Sequence, residues 1–553
     1  MSRSTSLLPR LEASAGTRHT ITFVGSAGAN GREQVEWARL HEDARGMAAA
    51  LQARGVGPGS HVALLGPTTR PFVTAVQATW LAGAAVVVLP LPMRLASIED
   101  FVAQTRRLIV HAQAQIVVID AQLSEFLDPQ PGDPPIVRLD ELRGAPSAYE
   151  RPAEDPDALA ILQFTSGSTA DPKGVMVPHR CMTANLDAAV DAANFDHDVD
   201  KAVSWLPLYH DMGLIGLLGA PMLHGFDLVL ASPQDFLAAP ARWMEWMAEF
   251  GATVTAGPNF AYALAARALG RLDRLDLSRW RLALNGAEPI DPCAVESFLA
   301  AGATHGLDAR AAFCVFGMAE ATLAVTFPTP GAGMQVDTVD QRVLETDRYA
   351  APINPDDSDG MARRLARLGR PLDGLELRVC DPMTGQRMRD REVGEIELRG
   401  SSISPGYYGN NQASTDARRG DWFCTGDLGY LVDAELIVCG RLKDVIIVGG
   451  RNVFPEDVER AAESVEGVRA GNVIAFGTEG RRGREAVVVV AETKLDESAP
   501  VRDAVAARVT DAIGVPPEEV VLVRPGTLPK TSSGKPQRSL CRRRYLGDEL
   551  APV

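Results

Sequence analysis

The sequence predicts an α/β protein: a large N-terminal domain of two α/β sheet subdomains with a small β-barrel-like region, then a smaller C-terminal α+β domain. Three observations lead there. Short, almost wholly apolar runs alternate with helix-like runs through most of the chain, the pattern of parallel sheet covered on both faces. Between about residues 370 and 440 the texture changes to short alternating runs divided by Gly, Pro and Asp. The length, 553 residues, exceeds what one hydrophobic core organises, so two or more domains are expected.

The first subdomain begins near residue 33 with the amphipathic WARLHEDARGMAAALQARG and the apolar HVALLG. PFVTAVQATWLAG, AAVVVLP, SIEDFVAQTRRLIVHA and QIVVID continue the order helix, strand, helix, strand. Past residue 159, ALAILQF, DLVLAS, ATVTA and RLALNG repeat it as a second sheet. LELRVCD, GEIELRG and AELIVCG then read as antiparallel strands of a smaller barrel or sheet. After GRLKD, the runs VIIVGG, PEDVERAAESV, AGNVIAFG, EAVVVVAE, VRDAVAARVTDAIG and EVVLV form a compact α+β unit. A boundary between Arg441 and Asp444 follows, giving domains 1–440 and 441–553.

Composition narrows the function. A hydrophobic content of 46% with 23% charged residues is that of an ordinary globular enzyme. The formal charge of -16 disfavours a nucleic-acid or anionic-membrane partner, since both attract a positive field. Seven scattered cysteines without a CxxC pair read as reduced thiols rather than a zinc site. No signal peptide or membrane-spanning stretch is evident, so the expected location is the cytoplasm, without membrane insertion.

TSGSTADPKG, from Thr165 to Gly174, lies between two apolar runs. Its glycines admit close backbone approach, its hydroxyls donate and Lys173 adds charge, so a polyphosphate is the natural guest. It is not the P-loop pattern, and taken alone it also fits a flexible surface turn. LQFTSGSTADPKGVMVPH, WLPLYHDMGLIG, LNGAEPI, FGMAEAT, GEIELRG, WFCTGDLGYL, GRLKDVIIVGGRNVFPEDVE and LPKTSSGKPQR occur together and in the order seen in the adenylate-forming superfamily. The chain resembles that family over nearly its whole length. WLPLYHDMGLIG and GPNFAYALAARAL look most like the fatty acyl-AMP ligases.

The resemblance implies a reaction: a carboxylic acid displaces pyrophosphate from ATP to give an acyl-adenylate, with ATP and Mg²⁺ required. It implies that Thr165, Ser166, Gly167, Ser168, Thr169 and Lys173 hold the outer phosphates. Gly286, Ala287 and Glu288 in NGAEP would line adenine, with Phe316, Gly317, Met318 and Ala319 beside them. Phe316 stands where the family commonly has Tyr, which keeps stacking and loses a phenolic hydrogen bond. Glu320 is the implied metal ligand, a role suited to Mg²⁺, which often takes one or two carboxylates beside phosphate and water. Asp427 would bind the ribose hydroxyls, and Arg441 the ribose or phosphate.

Lys535 matches the catalytic lysine of the small, mobile domain, with Lys530 on the same loop as its competitor. His210 matches a position at the mouth of the acyl pocket, where positioning the carboxylate is the expected role. Phe260 and Tyr262 would line that pocket, although GPNFAYALAARAL also fits an ordinary core helix. Lys443 occupies the implied hinge. A loop of about thirty-five residues, VDTVDQRVLETDRYAAPINPDDSDGMARRLARLG, stands where these ligases carry an insertion that restrains the small domain. That favours an acyl-carrier-protein thiol, or release to a separate transferase, over free CoA as acceptor. An acyl-CoA synthetase is the alternative, followed by a peptide-synthetase adenylation protein or a non-catalytic nucleotide-binding module.

Overall fold

In the computed structural model, described for residues 4–28, 31–91, 98–165, 172–354, 362–480, 485–496, 499–531 and 534–553, the parallel strands expected from the apolar runs form two sheets. The first has six strands, in the order Ile136–Arg138, Ile116–Ile119, His61–Leu65, Ala85–Val88, Leu159–Thr165, Lys173–Pro178. Only the last pair is antiparallel. The fully buried pattern of His61–Leu65 follows from helices packed on both faces, which leave no polar side.

The second sheet has seven strands, in the order Ala312–Cys314, Leu282–Asn285, Val254–Gly257, Lys201–Ser204, Asp227–Leu230, Thr20–Val24, Arg32–Glu36. Its last two strands come from the N-terminus, together with the helix Leu7–Ala15, and the reading from residue 33 onward does not find them. Arg10 on that helix pairs bidentately with Asp187 at 2.6 and 2.7 Å, which ties the N-terminus to helix His179–Ala192.

The region expected as a smaller barrel or sheet is an open antiparallel sheet of five strands, one of them the short Arg418–Arg419. Leu375–Cys380, Gly394–Gly400 and Trp422–Val432 are successive neighbours, and Glu435–Arg441 pairs with Trp422–Val432 at the other side. The two outer strands do not pair with each other among the described residues, so the barrel does not close. A 3-10 turn, Leu442–Asp444, leads from Arg441 into the C-terminal unit: a three-stranded sheet with helices Pro455–Glu463, Ala499–Ile513 and Arg538–Leu546 around it.

The long segment after Glu320 also departs from expectation. It is not a structureless loop: strand Val336–Asp340 pairs with Ala362–Ala366, and helix Gln341–Asp347 lies between them. Buried Val339, Leu344, Ala350 and Leu365 give it a small core shared with the five-stranded sheet. No helix among the described residues is long and apolar enough to cross a membrane.

Candidate active site

A cavity of about 1730 Å³ opens where the two large sheets, the five-stranded sheet and the C-terminal unit meet. It lies beyond the carboxyl ends of parallel strands, the place where open α/β sheets bind ligands. Thr165, Lys173, His210, Phe260, Gly286, Ala287, Glu288, Phe316, Gly317, Met318, Ala319, Glu320, Asp427, Arg441, Lys443 and Lys535 all line it, although they come from motifs spread over some 370 positions. Ser166, Gly167, Ser168 and Thr169 lie outside the described residues.

Each motif is placed by a simple local device. Thr165 and Lys173 face each other at the end of the antiparallel ladder between Leu159–Thr165 and Lys173–Pro178, which sets both at the cavity. The Lys173 ammonium lies 4.8 Å from the Tyr407 ring centroid, and the Tyr407 hydroxyl donates to Glu320 Oε1 at 2.9 Å. Burial raises the Glu320 carboxyl above its ordinary range, opposed by that hydrogen bond. A single carboxylate of this kind suits Mg²⁺, which takes one or two beside phosphate and water.

The Asn285–Glu288 segment leaves strand Leu282–Asn285 at its carboxyl end. Ala287 there has φ 70°, an αL value that costs a non-glycine residue energy and is common at binding loops. Thr322, just past Glu320, has φ 73° and donates its hydroxyl to the Ser402 carbonyl at 2.8 Å. Gly317 is fixed by close approach, since a Cβ there would lie 2.2 Å from the Leu323 carbonyl oxygen. Glu288 lines the cavity, but its carboxylate also accepts the Phe260 amide at 2.7 Å, at the N-terminus of helix Asn259–Leu269. Burial pushes the Glu288 carboxyl up, against the pull of that amide and of Lys535.

Asp427 and Arg441 stand opposite each other on adjacent strands, with Nε to Oδ1 at 3.0 Å. Burial raises the Asp427 carboxyl, and Arg441, Lys535 and Lys443 oppose it. The backbone of Lys535 is bound at both ends to Thr531: the Lys535 amide donates to Thr531 Oγ1 at 3.0 Å, and the Thr531 amide donates to the Lys535 carbonyl at 2.9 Å. Its ammonium lies within the attraction of Asp211, Glu288 and Asp427, but burial dominates and lowers its pKa. Lys530 differs, donating to Asn472 Oδ1 at 2.9 Å and to the Gly471 carbonyl. Burial also lowers the Lys443 pKa, and its neighbour Asp444 pairs with Arg538 at 3.0 Å.

His210 Nδ1 lies 2.7 Å from Asp211 Oδ1, and the same carboxylate accepts the Met212 amide at 2.7 Å, capping the π-helix Met212–Gly219. Burial would raise the Asp211 carboxyl, but His210, Lys535 and the Met212 amide outweigh it and hold it below its ordinary range. Sequence reasoning gave Asp211 no role, although it stands inside a quoted motif. It also missed Tyr407, which no motif announced.

Tyr262 overturns one expectation. It is 2% exposed, donates its hydroxyl to the Leu284 carbonyl at 2.8 Å, and packs edge-on against Trp243 and Phe298 in the core. The helix explains why: positions 260 and 262 lie about 200° apart around an axis of 3.6 residues per turn. Phe260, Ala263, Leu264 and Arg267 face the cavity, while Ala261, Tyr262, Ala265 and Leu269 are buried.

Known proteins share this plan. The model of the family described as AMP-binding enzyme matches residues 11–408. Rv1013 of Mycobacterium tuberculosis, whose name places it only among ligases, is 40% identical over 513 residues, covering 91% of this chain and 93% of its own. JamA of Moorena producens, a medium-chain-fatty-acid–[acyl-carrier-protein] ligase, is 32% identical over 549 residues, covering 94% and 92%. A solved structure from work on fatty acyl-adenylate ligases of E. coli and L. pneumophila superposes with a TM-score of 0.91 at 30% identity, covering 98% of each chain. Matched by that family over most of its length and by such relatives over nearly all of it, this chain belongs to the AMP-binding enzyme family.

Proposed function

We propose that the protein activates a fatty or other bulky carboxylic acid with ATP and passes the acyl group to the thiol of an acyl carrier protein. The observation that carries this reading is the meeting of Lys535, the Asp427–Arg441 pair, Glu320 and the paired Thr165 and Lys173 around one cavity that also has apolar walls. A carboxylate oxygen attacks the α-phosphorus, the bond to the β-phosphate oxygen breaks, and pyrophosphate leaves. Negative charge builds at the α-phosphate, where a pre-placed ammonium is most effective in a site shielded from water. Lys535 fills that role. His210, oriented by Asp211, positions the carboxylate, and Asp427 binds the ribose hydroxyls. Glu320 would hold Mg²⁺, which neutralises phosphate charge when bound.

The chain is read as two domains, 1–440 and 441–553, hinged at Lys443. The inserted segment grips the second of these from the first: Arg451 pairs with buried Glu345, Asn452 Nδ2 donates to the Glu345 carbonyl at 2.9 Å, and Arg363 pairs with Asp457 at 2.9 Å. Rotation about the hinge must break these contacts, and a docking carrier protein can repay that loss better than CoA. JamA's carrier-protein name supports the same acceptor. All seven cysteines are unpaired, which agrees with a cytoplasmic location.

The test is pyrophosphate release over a panel of acids, repeated with CoA and with holo carrier protein. Release is expected with apolar acids, thioester chiefly with the carrier. Lys535→Ala should lower release by at least about 100-fold while the protein stays folded. Near-normal release would remove Lys535 from the mechanism, and thioester formed equally well on CoA alone would make the enzyme an acyl-CoA synthetase.

A further inference from the structure

Beyond the loops that carry Gly286 and Phe316, the cavity continues as an apolar channel with two regular walls. One is a face of the seven-stranded sheet. Val254 stands opposite Ala202 and Leu282 in the ladder, and Ala256 opposite Leu284, so alternate residues of three strands present one apolar surface. The other wall belongs to helix His179–Ala192 and its end, where Leu186, Ala189, Val190 and Ala193 share one face at helical spacing. None of these residues is charged or polar. Such walls recognise an alkyl chain and offer nothing to an amine, a hydroxyl or a second carboxylate.

The channel has a defined far end. Phe195 and Phe226 both line it, with ring centroids 4.1 Å apart. Phe195 sits on the turn that follows the helix, and Arg281 holds that turn. Its guanidinium donates to the carbonyls of Ala193 at 2.9 Å and Asn194 at 3.1 Å, and its Nε donates to Asp200 at 2.7 Å. It also lies 6.0 Å from the Phe195 ring centroid. Asp200 is itself buried, and Thr253 donates to it at 2.7 Å. A ring on an otherwise surface turn is thereby fixed to the sheet.

We propose that Phe195, seated on Phe226 and pinned through Arg281 and Asp200, is the end wall that sets acyl-chain length. The proposal rests on the acid-activation reading and adds its substrate class: a straight, unfunctionalised chain of medium length. From Leu186 to Ala193 the helix wall rises about 10 Å at ~1.5 Å per residue, room for roughly eight carbons of a chain laid along it. Phe195 is only partly buried, so removing its ring opens the channel outward instead of hollowing a sealed core.

The experiment compares kcat/KM for pyrophosphate release across straight-chain acids in the wild type, Phe195→Ala and Phe195→Trp. In the wild type each added methylene should improve kcat/KM by about four-fold until the chain meets the wall, after which it falls. Phe195→Ala should move the optimum longer by about two carbons, with a gain of about ten-fold on the first acid the wild type rejects. Phe195→Trp should move the optimum shorter. Opposite shifts support the end wall; an unchanged optimum in both variants, or a uniform loss across all acids, overturns it. No release with any acid in the wild type overturns the activation reading and this proposal together, which distinguishes that failure from an unshifted profile.

Discussion

Burial disfavours the Lys535 ammonium and the His179 imidazolium alike, with different consequences. Around Lys535 the carboxylates of Asp211, Glu288 and Asp427 partly restore the charge, which under the proposed function would keep a cation ready for the α-phosphate. Beside His179 only Asp155 opposes the burial, and burial outweighs it. His179 is 4% exposed at the first turn of helix His179–Ala192, where the helix dipole also resists a cation, and burial pushes its pKa from 6.5 down to about 4. The folded protein therefore keeps this ring neutral while the unfolded chain takes up a proton below pH 6.5. Stability from His179 is complete above that pH and is lost as pH falls toward 4, at most roughly 3 kcal/mol. Urea midpoints at pH 7 and near pH 4.5 should separate further in the wild type than in His179→Gln. Equal separation would show that other groups carry the acid sensitivity.

Elements differ in how much of themselves the sequence discloses. Strand runs such as HVALLG and RLALNG were legible because a strand buried on both faces has no polar residues to confuse the pattern. GPNFAYALAARAL was legible as a helix but not as two faces, because Phe260 and Tyr262 are both aromatic and only the sheet decides which one it covers. The π-helix Met212–Gly219 gave no signal, its composition being apolar throughout. The inserted segment was read as a loop because its strands are short and rich in Arg and Asp. Folded, it grips the C-terminal unit through Glu345, 0% exposed, and Arg451. Replacing both with Gln removes the ion pair without stranding a buried charge. Pyrophosphate release should stay within about two-fold, while CoA thioester should rise about five-fold, the shift produced by about 1 kcal/mol of lost restraint. Unaltered CoA turnover in the folded variant would mean that the segment does not hold the small domain.

At the scale of the molecule, motifs with no local meaning gathered around one cavity. Contacts such as Tyr407 to Glu320, 87 positions apart, exist only once the sheets are assembled. Net charge misled in the same way. A total of -16 offers no attraction for an acidic carrier protein, yet the charge is unevenly placed. Residues 1–440 carry 37 Lys+Arg against 54 Asp+Glu, whereas residues 441–553 carry 18 against 17. Helix Arg538–Leu546 concentrates Arg542, Arg543 and Arg544, and Arg543 reaches the cavity rim. If the acceptor is an acidic carrier, as proposed, most of the surface would repel it and the C-terminal unit, the side on which Lys535 stands, would admit it. Steering of this kind acts on the association rate and fades as salt shortens the Debye length. Transfer to holo carrier protein should therefore slow by about ten-fold between about 50 mM and about 500 mM salt. Exposed Arg542, changed to Glu, should reproduce most of that loss at low salt and add little at high salt, with pyrophosphate release in the absence of carrier unchanged. A transfer rate indifferent to both salt and Arg542→Glu would mean that the carrier docks elsewhere or is not the acceptor.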